Sequence, residues 1–151
     1  MATTLVKNDL HIVFHVKSTS PLIRTDDMDT VCKYIAGIIH NNNGLAMEIG
    51  GMPDHIHILS SLPKTMSLSD YVRDIKTNSS RWIKTLDNHY SRFEWQEGYG
   101  AFSVSPSLLD KTVAYIKGQK EHHKKRTFRE EYIMFLQASN IEYDERFFIT
   151  D

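Results

Sequence analysis

From Leu10 to Lys17 the chain alternates: Leu10, Ile12, Phe14 and Val16 hold one set of positions, and His11, Val13, His15 and Lys17 hold the other. A period of two predicts a strand with one buried face. Beyond a turn-like stretch from Ser18 to Pro21, Asp26 stands where it caps a helix, and Met28, Val31, Ile35, Ile38 and Ile39 recur at helical spacing. Asn41-Asn42-Asn43-Gly44 stops that helix with residues that tolerate left-handed backbone. Leu45 to Ile49 and His55 to Ser61 read as the arms of a hairpin, with Gly50 to Asp54 as its turn. Ser67-Leu68-Ser69-Asp70 resembles a capping box with Asp in the place of Glu or Gln, and it opens a long helix with apolar positions Leu68, Val72, Ile75, Trp82, Ile83 and Leu86. Gly100 to Val104 reads as a fourth strand, and Ser105-Pro106 starts a helix from Ser107 to about Lys124. Thr127-Phe128-Arg129-Glu130 has the full capping-box form and opens a last helix through about Ala138. The order is βαββαβ followed by helices, which is an α+β, ferredoxin-like arrangement. It implies an antiparallel sheet with helices on one face, further C-terminal helices, and the other face free for a ligand or partner.

Composition narrows this picture without changing it. At 151 residues, 40% hydrophobic and 25% charged, the chain is expected to form a single domain over residues 1–151 with an ordinary core. One cysteine, Cys32, leaves no internal disulfide and no cysteine zinc cluster, so a reducing, cytoplasmic setting is expected. No apolar run approaches the length of a membrane span, so no membrane role is expected. A formal net charge of −1 neither demands nor forbids nucleic acid, so only the local distribution of charge can speak.

Candidate chemistry gathers in three places. On the third strand His55 and His57 are two apart, so their imidazoles share one face, roughly 6.5–7 Å apart along the strand, while Ile56 and Ile58 point to the helices. Two imidazoles so placed can converge on a divalent cation, although such pairs are more often plain strand histidines. His11 and His15 share a face of the first strand and are the runner-up ligands. Tyr115 and Gln119 are four apart on one helix and therefore neighbours, usually no more than a half-buried phenol beside an amide. If His55, His57 and the Gln119 carbonyl held Mg²⁺ or Mn²⁺, a phosphodiester polarised there would lie one turn from the Tyr115 hydroxyl. Forming the phenolate at pH 7 costs roughly 4 kcal/mol, and the sequence names no base to offset it. Gly118, between the two residues, costs about 1 kcal/mol relative to alanine and softens the helix there. Finally Lys117, Lys120, His122, His123, Lys124, Lys125, Arg126 and Arg129 form a local basic surface directly after Tyr115. Such a run is commonly a solvated helix end, but here it would hold a backbone phosphate near the phenol. Arg81-Trp82 and Phe93-Glu94-Trp95 offer a further cation and aromatic rings on which unpaired bases could stack.

These segments, taken in order, resemble one family. His11 to Phe14, Met52 to Leu59, Ile75 to Trp82, Trp95 to Ser105, Tyr115-Ile116 with Gln119, Glu121-His122-His123 and Thr127-Phe128 are similar to the HUH single-tyrosine transposases of the insertion-sequence two-hundred/six-hundred-and-five type. The REP-associated tyrosine transposases are close relatives of that type. The resemblance runs from about Leu10 to Phe148. It implies an enzyme that cuts and rejoins single-stranded DNA at mobile-element ends. Tyr115 would be the nucleophile, and the product a 5′-phosphotyrosine with a free 3′-hydroxyl. His55, His57 and Gln119 would hold Mg²⁺ or Mn²⁺, and Lys117, Lys120, His122, His123, Lys124, Lys125, Arg126 and Arg81 would contact DNA. No nucleotide cofactor is implied, in keeping with the lack of a glycine-rich phosphate loop. The family further implies hairpin DNA as partner and a homodimer in which the histidines of one subunit meet the tyrosine helix of the other. Two other classes remain open on the residues alone: a non-catalytic nucleic-acid-binding module, and a metal-dependent phosphoesterase using activated water.

Overall fold

In the computed structural model, which describes residues 3–122 and 126–143, alternation along the first strand sorts its side chains between the two faces of an antiparallel sheet. The strands are β1 (Asp9–His15), β2 (Ala46–Met52), β3 (His55–Ser61) and β4 (Gly100–Ser103), in the spatial order β2-β3-β1-β4. Every pairing is antiparallel, and the register sets Val13 opposite His57 and His15 opposite His55. The expected α+β, ferredoxin-like sheet is therefore present.

One face carries the main core. Ile12, Phe14, Ile56 and Ile58 pack under α1 (Met28–Asn41) and α2 (Leu68–Ile83), whose Val31, Ile35, Ile39, Val72 and Ile75 are all buried. Each such side chain contributes about 1.5–3 kcal/mol by leaving water. Ser67 caps α2 as its sequence implies, its hydroxyl accepting from the Asp70 N–H. Asp26 does not cap α1. It lies in a 3₁₀ turn, Thr25–Asp27, and the Asp27 carboxylate beside it accepts instead from the Tyr90 hydroxyl at 2.5 Å.

The other face is not free. α3 (Leu109–Lys117), α4 (Gln119–His122) and α5 (Phe128–Ala138) follow β4, and Phe128, Tyr132 and Leu136 of α5 pack with Val13 and Phe102 of the sheet. The helix expected from Ser107 to Lys124 is divided. A 3₁₀ turn at Pro106–Leu108 precedes α3, and the chain breaks again at Gly118, the softness noted in its sequence. The strand β2 also runs further than expected, because Gly50, Gly51 and Met52 stay paired with β3, and α3 lies directly on it. A Cβ on Gly50 would stand 3.1 Å from both Cγ2 and the carbonyl oxygen of Ile116, so the bare backbone at Gly50 is what lets α3 settle this close. Thr127 and Glu130 form the reciprocal capping box that starts α5.

Candidate active site

The strand period puts His55 and His57 on the face beneath α3–α5, and both are fully buried there. α3 supplies Tyr115, α4 supplies Gln119, and α5 supplies an acid that sequence reasoning missed, Glu131. The two oxygens of Glu131 divide their work. Oε1 lies 2.9 Å from His57 Nε2 and 3.6 Å from His55 Nε2. Oε2 accepts a short hydrogen bond from the Tyr115 hydroxyl and a longer one, 3.3 Å, from the Gln119 amide. The Gln119 carbonyl oxygen in turn faces His55 Nε2 at 2.9 Å.

The outer nitrogens of the pair are also held. His55 Nδ1 donates to Asp54 Oδ1 at 2.7 Å, which leaves the Nε2 of a neutral imidazole with its lone pair turned inward. His57 Nδ1 lies 2.7 Å from His11 Nε2. Burial, together with the neighbouring His57, pushes His11 down to about 3, so it stands as a neutral partner at physiological pH. His15 lies outside the cluster, its Nδ1 donating to the Val16 carbonyl and its ring near Phe128. Neither runner-up histidine is thus among the converging donors. Phe128 stacks on the His55 ring at 4.3 Å and fixes its plane.

The Nε2 atoms of His55 and His57, the Gln119 carbonyl and a buried carboxylate converge on one point. The ligand atoms of His55, His57 and Glu131 all lie within 4.8 Å of one another. With His55 Nδ1 committed to Asp54, its Nε2 meets acceptor oxygens, a contact that only a proton or a cation makes favourable. A nitrogen-and-oxygen donor set of this kind suits a divalent ion such as Mg²⁺ or Mn²⁺. Electrostatics at the phenol run the opposite way. Burial, then the hydrogen bond to Glu131 and its charge, raise the Tyr115 hydroxyl well above the ordinary tyrosine value. Burial also raises the Glu131 carboxyl, but the hydrogen bond and charge of His57, with smaller help from Tyr115 and His55, outweigh it and hold it well below the usual carboxylate range. In this arrangement the proton rests on the phenol.

Tyr115, His55, His57 and Gln119 are thus brought together by the fold, and all come from one chain. The basic residues scatter more. Lys117 is exposed at the end of α3, and Arg126 is exposed before α5, its guanidinium against Met134 Sδ. Lys120 and His122 belong to α4, while His123, Lys124 and Lys125 lie outside the described residues. Arg81 is exposed on α2, across the sheet from the histidines, and Trp82 stacks flat on Tyr34 at 4.1 Å. Glu131 did carry a signal: Phe128, Tyr132, Phe135 and Leu136 form the apolar stripe of α5, and Glu131 occupies a place in that stripe.

A sheet bearing a buried histidine pair, with a tyrosine presented to it from a following helix, is the arrangement that the resemblance to the HUH tyrosine transposases implies. The family described as "Transposase IS200 like" matches residues 4–119, and the chain belongs to that family. It is therefore a transposase by family, an enzyme class acting on DNA. Two solved structures share the fold. One is a Deinococcus radiodurans R1 protein assigned as a transposase, at TM-score 0.60 and 19% identity, covering 79% of this chain and 96% of that one. The other is a REP-associated tyrosine transposase bound to a REP hairpin, at TM-score 0.58 and 15% identity, covering 100% of this chain and 94% of that one. No curated protein sequence matches the chain. Among the described residues no helix is long and apolar enough to cross a membrane.

Proposed function

We propose that the protein cleaves and rejoins single-stranded DNA through a covalent link to Tyr115. The observation that carries this reading is the meeting of the Tyr115 hydroxyl, both histidine Nε2 atoms and Gln119 around the Glu131 carboxylate, within a transposase family. His55, His57, Gln119 and Glu131 Oε1 would hold a divalent cation, whose positive charge polarises a phosphodiester and offsets the cost of forming the phenolate. Glu131 Oε2 already accepts the phenolic hydrogen and so positions the nucleophile. In the cleavage step the Tyr115 Oη–P bond forms and the P–O3′ bond breaks. The phenolic proton passes to Glu131, and the departing O3′ takes a proton from solvent. A 3′-hydroxyl from another strand then attacks the phosphotyrosine: the new O3′–P bond forms as the Tyr115 Oη–P bond breaks, the hydroxyl proton goes to solvent, and Glu131 returns its proton to the phenol. Because the phosphodiester energy is kept in the tyrosyl link, the exchange consumes no nucleotide triphosphate.

DNA with hairpin ends is the proposed partner. This rests on family membership and on a structural neighbour bound to a REP hairpin. Arg126 and Lys117 would meet the backbone beside Tyr115, and Lys120, His122, His123, Lys124 and Lys125 are further DNA contacts proposed from the sequence. The test is a denaturing gel of the protein with labelled single strands from the flanks of its own locus, with Mg²⁺, Mn²⁺ or chelator. A metal-dependent, protease-sensitive adduct in the wild type and none in Tyr115→Phe, with DNA binding retained, is the expected result. Cleavage without an adduct would replace this reading with water-activated hydrolysis.

A further inference from the structure

A cavity of about 330 Å³ opens beside the nucleophile, with Tyr115, Glu131 and His11 among its walls. Its sides are Leu108 from the turn before α3 and Met134, Phe135 and Ala138 from α5. Phe135 stands edge-on to Tyr115 at 5.5 Å and to His11 at 5.0 Å, which fixes its ring as a rigid apolar surface. Two cations border the opening. Lys111 lies one helical turn before Tyr115 on the same side of α3, and Arg126 approaches from the loop before α5. Both are exposed. An apolar pocket of ligand size, with cations at its rim and a nucleophile in its wall, fits a flat aromatic group joined to a phosphate.

We infer that this cavity takes the base of the nucleotide immediately 3′ to the scissile phosphate, stacked among Phe135, Met134 and Ala138. The inference rests on the phosphotyrosine reading and makes it more specific. In an in-line displacement O3′ leaves on the side of phosphorus away from Tyr115 Oη, so the 5′ nucleotide departs from the tyrosine. The 3′ nucleotide stays bonded to it through its 5′-phosphate. A pocket walled by the tyrosine therefore belongs to the retained nucleotide. The inner polar groups are already engaged, His11 with His57 and Glu131 with Tyr115 and His57. The cavity accordingly registers the presence of a base by stacking and is tolerant of its identity.

The experiment measures single-turnover adduct formation on a mapped strand in which the base 3′ or 5′ of the scissile phosphate is replaced by an abasic residue. Wild type and Ala138→Trp, which plugs the cavity from the exposed end of α5, are compared. Loss of the 3′ base is expected to slow the wild type about tenfold or more, and Ala138→Trp to slow the 5′-abasic strand as much as the intact one. Ala138→Trp should slow the intact strand to the rate of the 3′-abasic strand and leave the 3′-abasic strand unaffected. Any other pattern overturns the assignment while the phosphotyrosine reading stands, including a wild type indifferent to the 3′ base. The wild-type arm decides this even if the variant fails to fold. Absence of an adduct on every strand removes the reading and the inference with it.

Discussion

Glu131 is the residue on which the site turns, since one carboxylate touches the phenol, the amide and both histidines. Glu131→Gln keeps the shape but removes the charge and the proton acceptor. Adduct formation should fall by at least about a hundredfold with the circular dichroism spectrum unchanged. A variant within threefold of wild type would make Glu131 a packing residue. Asp54 acts one shell further out by fixing which nitrogen of His55 points inward. Asp54→Asn is expected to weaken Mn²⁺ binding about 10–100-fold, read by titration calorimetry, and to leave DNA binding intact. His55, His57 and Tyr115 were legible in the sequence because strand spacing and order along the chain carry them. Glu131 was harder to see because its signal is a single acid in the apolar stripe of a helix otherwise identified by its cap.

At the level of elements, the site is three helical segments laid over a sheet, so their seating decides its geometry. α3 rests on the bare backbone of Gly50, where a Cβ would press Ile116 at 3.1 Å. Gly50→Val adds more bulk than that contact allows, and it should lift α3 and cut adduct formation at least tenfold, because misplacing a reacting group by about 1 Å can cost 10²-fold. The Thr127 capping box anchors the start of α5 and so the approach of Glu131. Thr127→Ala should cost about 1 kcal/mol of stability in urea unfolding and lower the adduct rate with it. Elements with strong periodicity, β1, β3, α1 and α2, were readable from the pattern of their side chains. Two features were not. Gly50 and Gly51 read as a turn because glycines favour one, whereas here Gly50 thins a strand under a helix and Gly51 lies against the β3 backbone at His55 and Ile56. The covering of the histidine face depends on three segments packing together, which no local pattern states.

For the molecule as a whole, sheet topology places all four candidate donors and the nucleophile within one chain, with the core on the opposite face as their rigid support. That architecture also fixes a pH dependence. Burial, followed by the charges of Asp29 and Glu48, pushes the Cys32 thiol up to about 12, and burial with the Asp27 hydrogen bond pushes Tyr90 up to about 12. Groups raised on folding stabilise the protein fully below their unfolded values and lose that contribution as pH rises through the folded ones. Urea midpoints should therefore fall steadily between about pH 9 and pH 12, and a flat profile there would contradict the burial of these groups. The central claim concerns one bond, and it is tested most directly by digesting the protein–DNA adduct with nuclease and trypsin and locating the nucleotide by mass spectrometry. The account predicts a nucleotide 5′-phosphate on Tyr115, in the peptide from Thr112 to Lys117. A nucleotide carried by any other residue, or cleaved DNA with no nucleotide on the protein, would contradict it.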